Sequence, residues 1–105
     1  MDAGTPYYEN LAQIVVDGVR EPFEKAMIHA EIDEEAAEFS TVFLTKDGRR
    51  HSVFIEDQLE PVLREWRTKM SESNSPKWYV FDFELLPDGK FKVNYGYQKT
   101  KWMLY

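Results

Sequence analysis

The side chains of this 105-residue chain best suited to moving protons are two histidines, His29 and His51, and two carboxylates, Asp82 and Glu84. Asp82 and Glu84 are two residues apart, so a strand would place both on one face, where mutual repulsion raises one pKa for acid–base work. The same pattern has a plainer source. Polar residues alternating with Tyr79, Phe81, Phe83 and Leu85 are what a half-solvated strand displays, with Lys90 or Lys92 as partners across a hairpin. Either histidine beside Asp33 or Asp82 would make a fragment of a metal site, but the spacing is not that of zinc ligands, and cysteine is absent. A nucleophilic enzyme needs a nucleophile, a base and an orienting group, and no cysteine or glycine-flanked serine turn supplies the first. Thus no catalytic residue, no metal ligand and no cofactor is predicted. A small enzyme built on Asp82, Glu84 and a histidine is the least favoured reading.

Charge is the more informative chemistry. The net charge is −6, and residues 1–60 hold fourteen acids against five bases. Glu31, Asp33, Glu34, Glu35 and Glu38 place five acids within eight residues. Such a lobe is either a solvated turn or a surface that steers a basic partner. Direct nucleic-acid binding is disfavoured, because phosphate neutralisation dominates that affinity. The absence of cysteine suits a reducing compartment, and Met1 to Pro6 carries no basic segment, so a cytoplasmic protein without a membrane span is expected.

The elements that must position these residues follow from periodicity. Thr5-Pro6 reads as a helix start, with Thr5 as cap, and Tyr8, Leu11, Ala12, Val15 and Val19 form a 3.6-residue stripe ending near Arg20. From Lys25 the period becomes 2. Strands are predicted at Lys25–Ile32, Ala37–Leu44 and Arg50–Ile55, with the acidic turn and Asp47-Gly48 as their connections. Asp57 and Glu60 have capping-box spacing ahead of a second helix carrying Leu59, Val62, Leu63, Trp66 and Met70, with Pro61 in its first turn. A polar connector over 71–76 leads to a hairpin of Trp78–Leu86 and Lys90–Tyr97 around Pro87-Asp88-Gly89. The sum is one α+β domain over 1–105, of order α-β-β-β-α-β-β, with two helices on one face of an antiparallel five-stranded sheet.

Trp78, Tyr79, Phe81, Phe83, Phe91, Tyr95, Tyr97, Trp102 and Tyr105 form an aromatic set in the last third. A base-stacking platform would need a basic groove, so core packing is the preferred assignment. Rings left outside, Trp78 and Tyr97 first among them, are expected protein-contact anchors. The apolar tail Trp102-Met103-Leu104-Tyr105 should dock on the domain or on a second copy, which makes a homodimerising module the second functional reading.

Lys77-Trp78 opening an aromatic strand, and then Asp88-Gly89-Lys90-Phe91-Lys92-Val93-Asn94-Tyr95-Gly96-Tyr97, resembles the YezG-like immunity proteins, antitoxin partners of bacterial polymorphic toxins. The likeness extends to Tyr8-Glu9-Asn10-Leu11-Ala12 and to the order of elements. It implies a protein that sequesters a cognate toxin, often a nuclease, without catalysis. The expected contact region is Glu31, Asp33, Glu34, Glu35 and Glu38 with Trp78 and Tyr97.

Overall fold

The computed structural model describes residues 4–73 and 76–104. Its elements are α1 (Thr5–Val19), β1 (Lys25–Ile32), β2 (Ala37–Leu44), β3 (Arg50–Ser52), α2 (Glu56–Glu72), β4 (Val80–Leu85), β5 (Phe91–Gly96) and a final 3-10 turn, Lys101–Leu104. The strands form one antiparallel sheet of order β3-β2-β1-β4-β5. This is the α+β architecture and element order that the sequence predicts.

β1 occupies the middle of the sheet, between β2 and β4, and its alternate residues Ala26, Ile28, Ala30 and Ile32 are all buried on one covered face. These residues share the core with Phe43, Phe81, Phe83 and Leu85 from neighbouring strands, and Leu11, Val15, Leu59, Leu63 and Trp66 from the helices. Both helices therefore cover the same face. The other face carries Lys25, Met27, His29 and Glu31 of β1, Glu38 and Ser40 of β2, and Asp82 and Glu84 of β4.

Several boundaries differ from the sequence reading, each for a local reason. Thr5 does not cap α1: Gly4 is the N-cap and no side chain caps the helix. The helix begins one residue early, and Pro6 then occupies a position whose N–H a cap would otherwise satisfy. Asp57 and Glu60 do not form a capping box, since Ile55 is the N-cap of α2. Asp57 instead sits in the first turn, where its charge suits the helix dipole, and Glu60 is engaged by Arg64 Nε at 2.8 Å. Pro61 lies inside α2 rather than in its first turn, which leaves one intrahelical bond unmade on an exposed stretch.

β3 is three residues long instead of six. Val53 N–H still bonds the Thr41 carbonyl at 2.9 Å, after which the chain turns into α2. The hairpin strands β4 and β5 are shorter than predicted at both ends. Of the polar connector, Asn74 and Ser75 lie outside the described residues, and α2 extends through Glu72. Gly48 and Gly89 both have positive φ, 84° and 89°, as the two Asp-Gly turns demand.

Candidate functional site

Strand pairing gathers most of the acidic candidates at one end of the open sheet face. Glu38, Glu31, Val80 and Gly96 form a row across β2, β1, β4 and β5. Asp33, Glu34 and Glu35 lie in the turn joining β1 to β2, and Tyr97 follows Gly96 at the same end of the sheet. Tyr97 is 49% exposed and packs against Tyr95, with ring centroids 6.4 Å apart.

The fold itself uses three of the five acids. Asp33 builds the turn: its Oδ1 accepts the backbone N–H groups of Glu35 at 2.9 Å and Ala36 at 2.7 Å. Those bonds, the Ala36 one foremost, hold its carboxyl below the usual carboxylate range. Glu34 receives Arg67 at 3.3 Å and Lys77 at 3.2 Å. Its own backbone N–H and then Lys77 draw its pKa down to about 2. Glu31 accepts from the Trp102 indole at 2.8 Å and pairs with His29 at 2.8 Å, and the His29 bond leads in lowering its pKa. Glu35 and Glu38 are exposed and have no side-chain hydrogen bond or ion pair among the described residues.

Two arginines of α2 pin this turn. Arg64 donates to the Asp33 carbonyl at 3.2 Å. Arg67 is 6% exposed, donates Nε–H to the Trp78 carbonyl at 2.6 Å, and lies 5.0 Å from the Tyr79 ring centre. A buried guanidinium needs such partners. Their three-residue spacing places both on one helix face, but an acid cluster read as solvent-facing or partner-facing hides that internal use.

Trp78 is fully buried, so it supports the core and does not reach the surface as a contact anchor. The physical reason is its position ahead of β4: the indole turns inward, 5.4 Å from Phe81 between ring centres, while its carbonyl is held by Arg67. An aromatic that the sequence reading placed in a strand takes its place outside. Phe54, just beyond β3, is 84% exposed. The Val53–Thr41 bond carries the β2–β3 register one step further, which brings Phe54 off the sheet at the level of Ser40, two residues from Glu38.

Asp82 and Glu84 share a face as expected, but each has its own partner. Lys25 Nζ lies 2.6 Å from Glu84, and that bond leads in lowering the Glu84 pKa, the reverse of what a general acid needs. His29 bonds Asp82 through Nδ1 at 2.7 Å and Glu31 through Nε2, so both ring nitrogens are occupied. Asp33 is not beside it. His51 stacks on Phe43, centroids 5.0 Å apart. Among the described residues no group of three or more His, Asp or Glu side chains could hold a metal ion, and no helix is long and apolar enough to cross a membrane.

A depression of about 340 Å³ on the open face is lined by His29, Asp82, Glu84, Lys92 and Arg50, among others. A larger apolar groove of about 540 Å³, at the far end of the strands from the acids, runs between α1 and the β4–β5 turn. In the depression Glu84 is paired with Lys25 and Asp82 with His29. The family model for "Immunity protein YezG-like" matches residues 50–103, slightly more than half the chain.

The chain belongs to the YezG-like immunity protein family. The match runs from the start of β3 through α2 and the β4–β5 hairpin into the final turn. It therefore includes the β4–β5 hairpin that carries the resemblance, and excludes α1, β1 and β2. No curated protein matches the chain at a significant level. An immunity function follows from family membership; a YezG-like protein is one that has a toxin as its partner.

Proposed function

We propose that this protein binds and neutralises one cognate bacterial toxin in the cytoplasm, by covering its working surface and not by turnover. The observation that carries this reading is the family match over residues 50–103. The proposed contact region is the acidic end of the sheet: Glu35 and Glu38 as charges with no side-chain partner among the described residues, Glu31 between them and the sheet centre, and Tyr97, which packs on Tyr95, at the same end. Asp33 and Glu34 act there by shaping and holding the turn. Trp78 is replaced in this role by Phe54, whose 84% exposure has the form of an aromatic anchor.

The chemistry favours a basic target. A nuclease must hold phosphates, so its active face is usually positive, and an acidic domain can occupy that face in place of nucleic acid. The protein itself then has no need to touch nucleic acid. A standard complex buries roughly 1,600 Å² in total, which a domain of this size can provide.

Co-expression with the toxin domain encoded by the neighbouring gene tests the proposal. Restored growth, and a complex that survives gel filtration, are the expected results. Persistent toxicity with no complex would overturn it.

A further inference from the structure

We infer that protonated His29 is a clamp that ties the C-terminal turn to the open face of the sheet, so that docking of this turn is controlled by one proton. Three elements meet at the clamp. His29 of β1 bonds Asp82 of β4 at 2.7 Å through Nδ1 and Glu31 at 2.8 Å through Nε2. The other oxygen of Glu31 accepts the Trp102 indole N–H at 2.8 Å. Trp102 stands in the 3-10 turn, whose next residue, Met103, is buried.

Only the imidazolium form donates from both ring nitrogens; neutral imidazole has one donor and one lone pair. Deprotonation therefore turns a lone pair toward one of the two carboxylates, whichever tautomer remains. Glu31 is the more sensitive of them, because Glu38 stands directly opposite it on β2. The other groups around His29 do not substitute for the lost proton. Ser40 faces it from β2, Arg50 of β3 lines the same depression, Glu84 on β4 is taken by Lys25, Asn94 and Lys92 line β5, and Lys99 and Lys101 precede Trp102 in the chain.

The direction of the linkage follows. Burial opposes charging of His29, but the bonds to Asp82 and Glu31 outweigh it, and its pKa lies above the ordinary 6.5. A raised histidine stabilises fully below 6.5, and that contribution disappears as pH climbs through the folded-state pKa. Glu31 is lowered from 4.5, so its contribution is present above 4.5 and disappears in acid. The clamp is whole between these limits, and a rise of pH through the folded-state pKa of His29 releases it.

The test is an NMR titration of the full chain from pH 5 to 9, following the His29 ring and the three indole N–H signals. Trp102 is assigned by Trp102→Phe, with the Trp66 and Trp78 indoles reporting that the fold is intact. The expected result is a Trp102 indole shift, with loss of its exchange protection, at the same midpoint as His29 and above 6.5. In His29→Gln that step should vanish while the other indoles stay in place. A Trp102 signal that is flat through the His29 titration, or that keeps its step in His29→Gln, would overturn the clamp.

Discussion

Glu31 and Glu38 face each other directly across the β1–β2 pair, two carboxylates at opposed positions on the open face of the sheet. Like charges in this arrangement repel. Glu31 is compensated by His29 and Trp102, whereas Glu38 has exposure alone. Glu38→Gln is therefore expected to stabilise the free protein slightly, by roughly 0.2–1 kcal/mol, read from the urea midpoint. The natural residue keeps the repulsion, as a surface held for a partner would.

Charge reversal at the acidic end should separate binding from folding. Glu35→Lys with Glu38→Lys is expected to slow toxin association, most at low salt, where exposed charges are least screened. Thermal stability should be kept or rise by up to about 1 kcal/mol, since reversal at Glu38 relieves its repulsion with Glu31. An association rate indifferent to both the reversal and the salt would remove this end of the sheet from the interface.

Arg67 is the charged side chain on which the core most depends. Arg67→Met leaves the buried Trp78 carbonyl without its 2.6 Å donor and removes one of two cations beside Tyr79, the other being Lys99. A loss of about 2–3 kcal/mol is expected, the range for a hydrogen bond to a charged donor and the cost of an unsatisfied buried group. Glu34→Gln should cost under about 1 kcal/mol at pH 7, because half of that side chain is in solvent. Chemical denaturation of both variants gives the comparison.

Acid should expose the role of Glu34 more clearly than neutral pH does. Its carboxyl is lowered from 4.5 to about 2, so the unfolded chain takes up its proton first. The contribution is complete above 4.5 and is lost as pH falls toward about 2. Stability of the wild type should then decline more steeply over this range than that of Glu34→Gln. Parallel slopes in the two proteins would count against it.

Gly18 allows α1 to approach the start of α2. A Cβ built there would lie 2.8 Å from Ile55 Cγ2, closer than side chains tolerate. Gly18→Ala should therefore fail to deliver the ~1 kcal/mol that alanine normally brings to a helix, and should destabilise instead. Ile55→Leu removes the branch at Cβ, so the pair should be coupled in a double-mutant cycle, with the double variant better than additive.

The sequence carried the architecture because each element depends on a local period: the bounds of β1 and β2 follow from strict alternation, and α1 from one stripe. What it missed came from tertiary use of local signals. Asp57 and Glu60 have capping-box spacing, but Arg64 takes Glu60. Trp78 reads as a strand aromatic, yet the chain turns it inward before β4 begins. Five acids close together read as one feature. Only contacts from α2, β1 and the C-terminal turn show that three are structural and two are not.

The order of the sheet bears on when this protein becomes useful to its cell. β1 stands between β2 and β4, and His29 meets Asp82 across 53 residues of chain. A ribosome must finish β4 before the central strand has its second neighbour, and non-local pairing of this kind is expected to slow folding. Until then β1 has β2 alone beside it, and the His29–Asp82 bond that ties β1 to β4 is unmade.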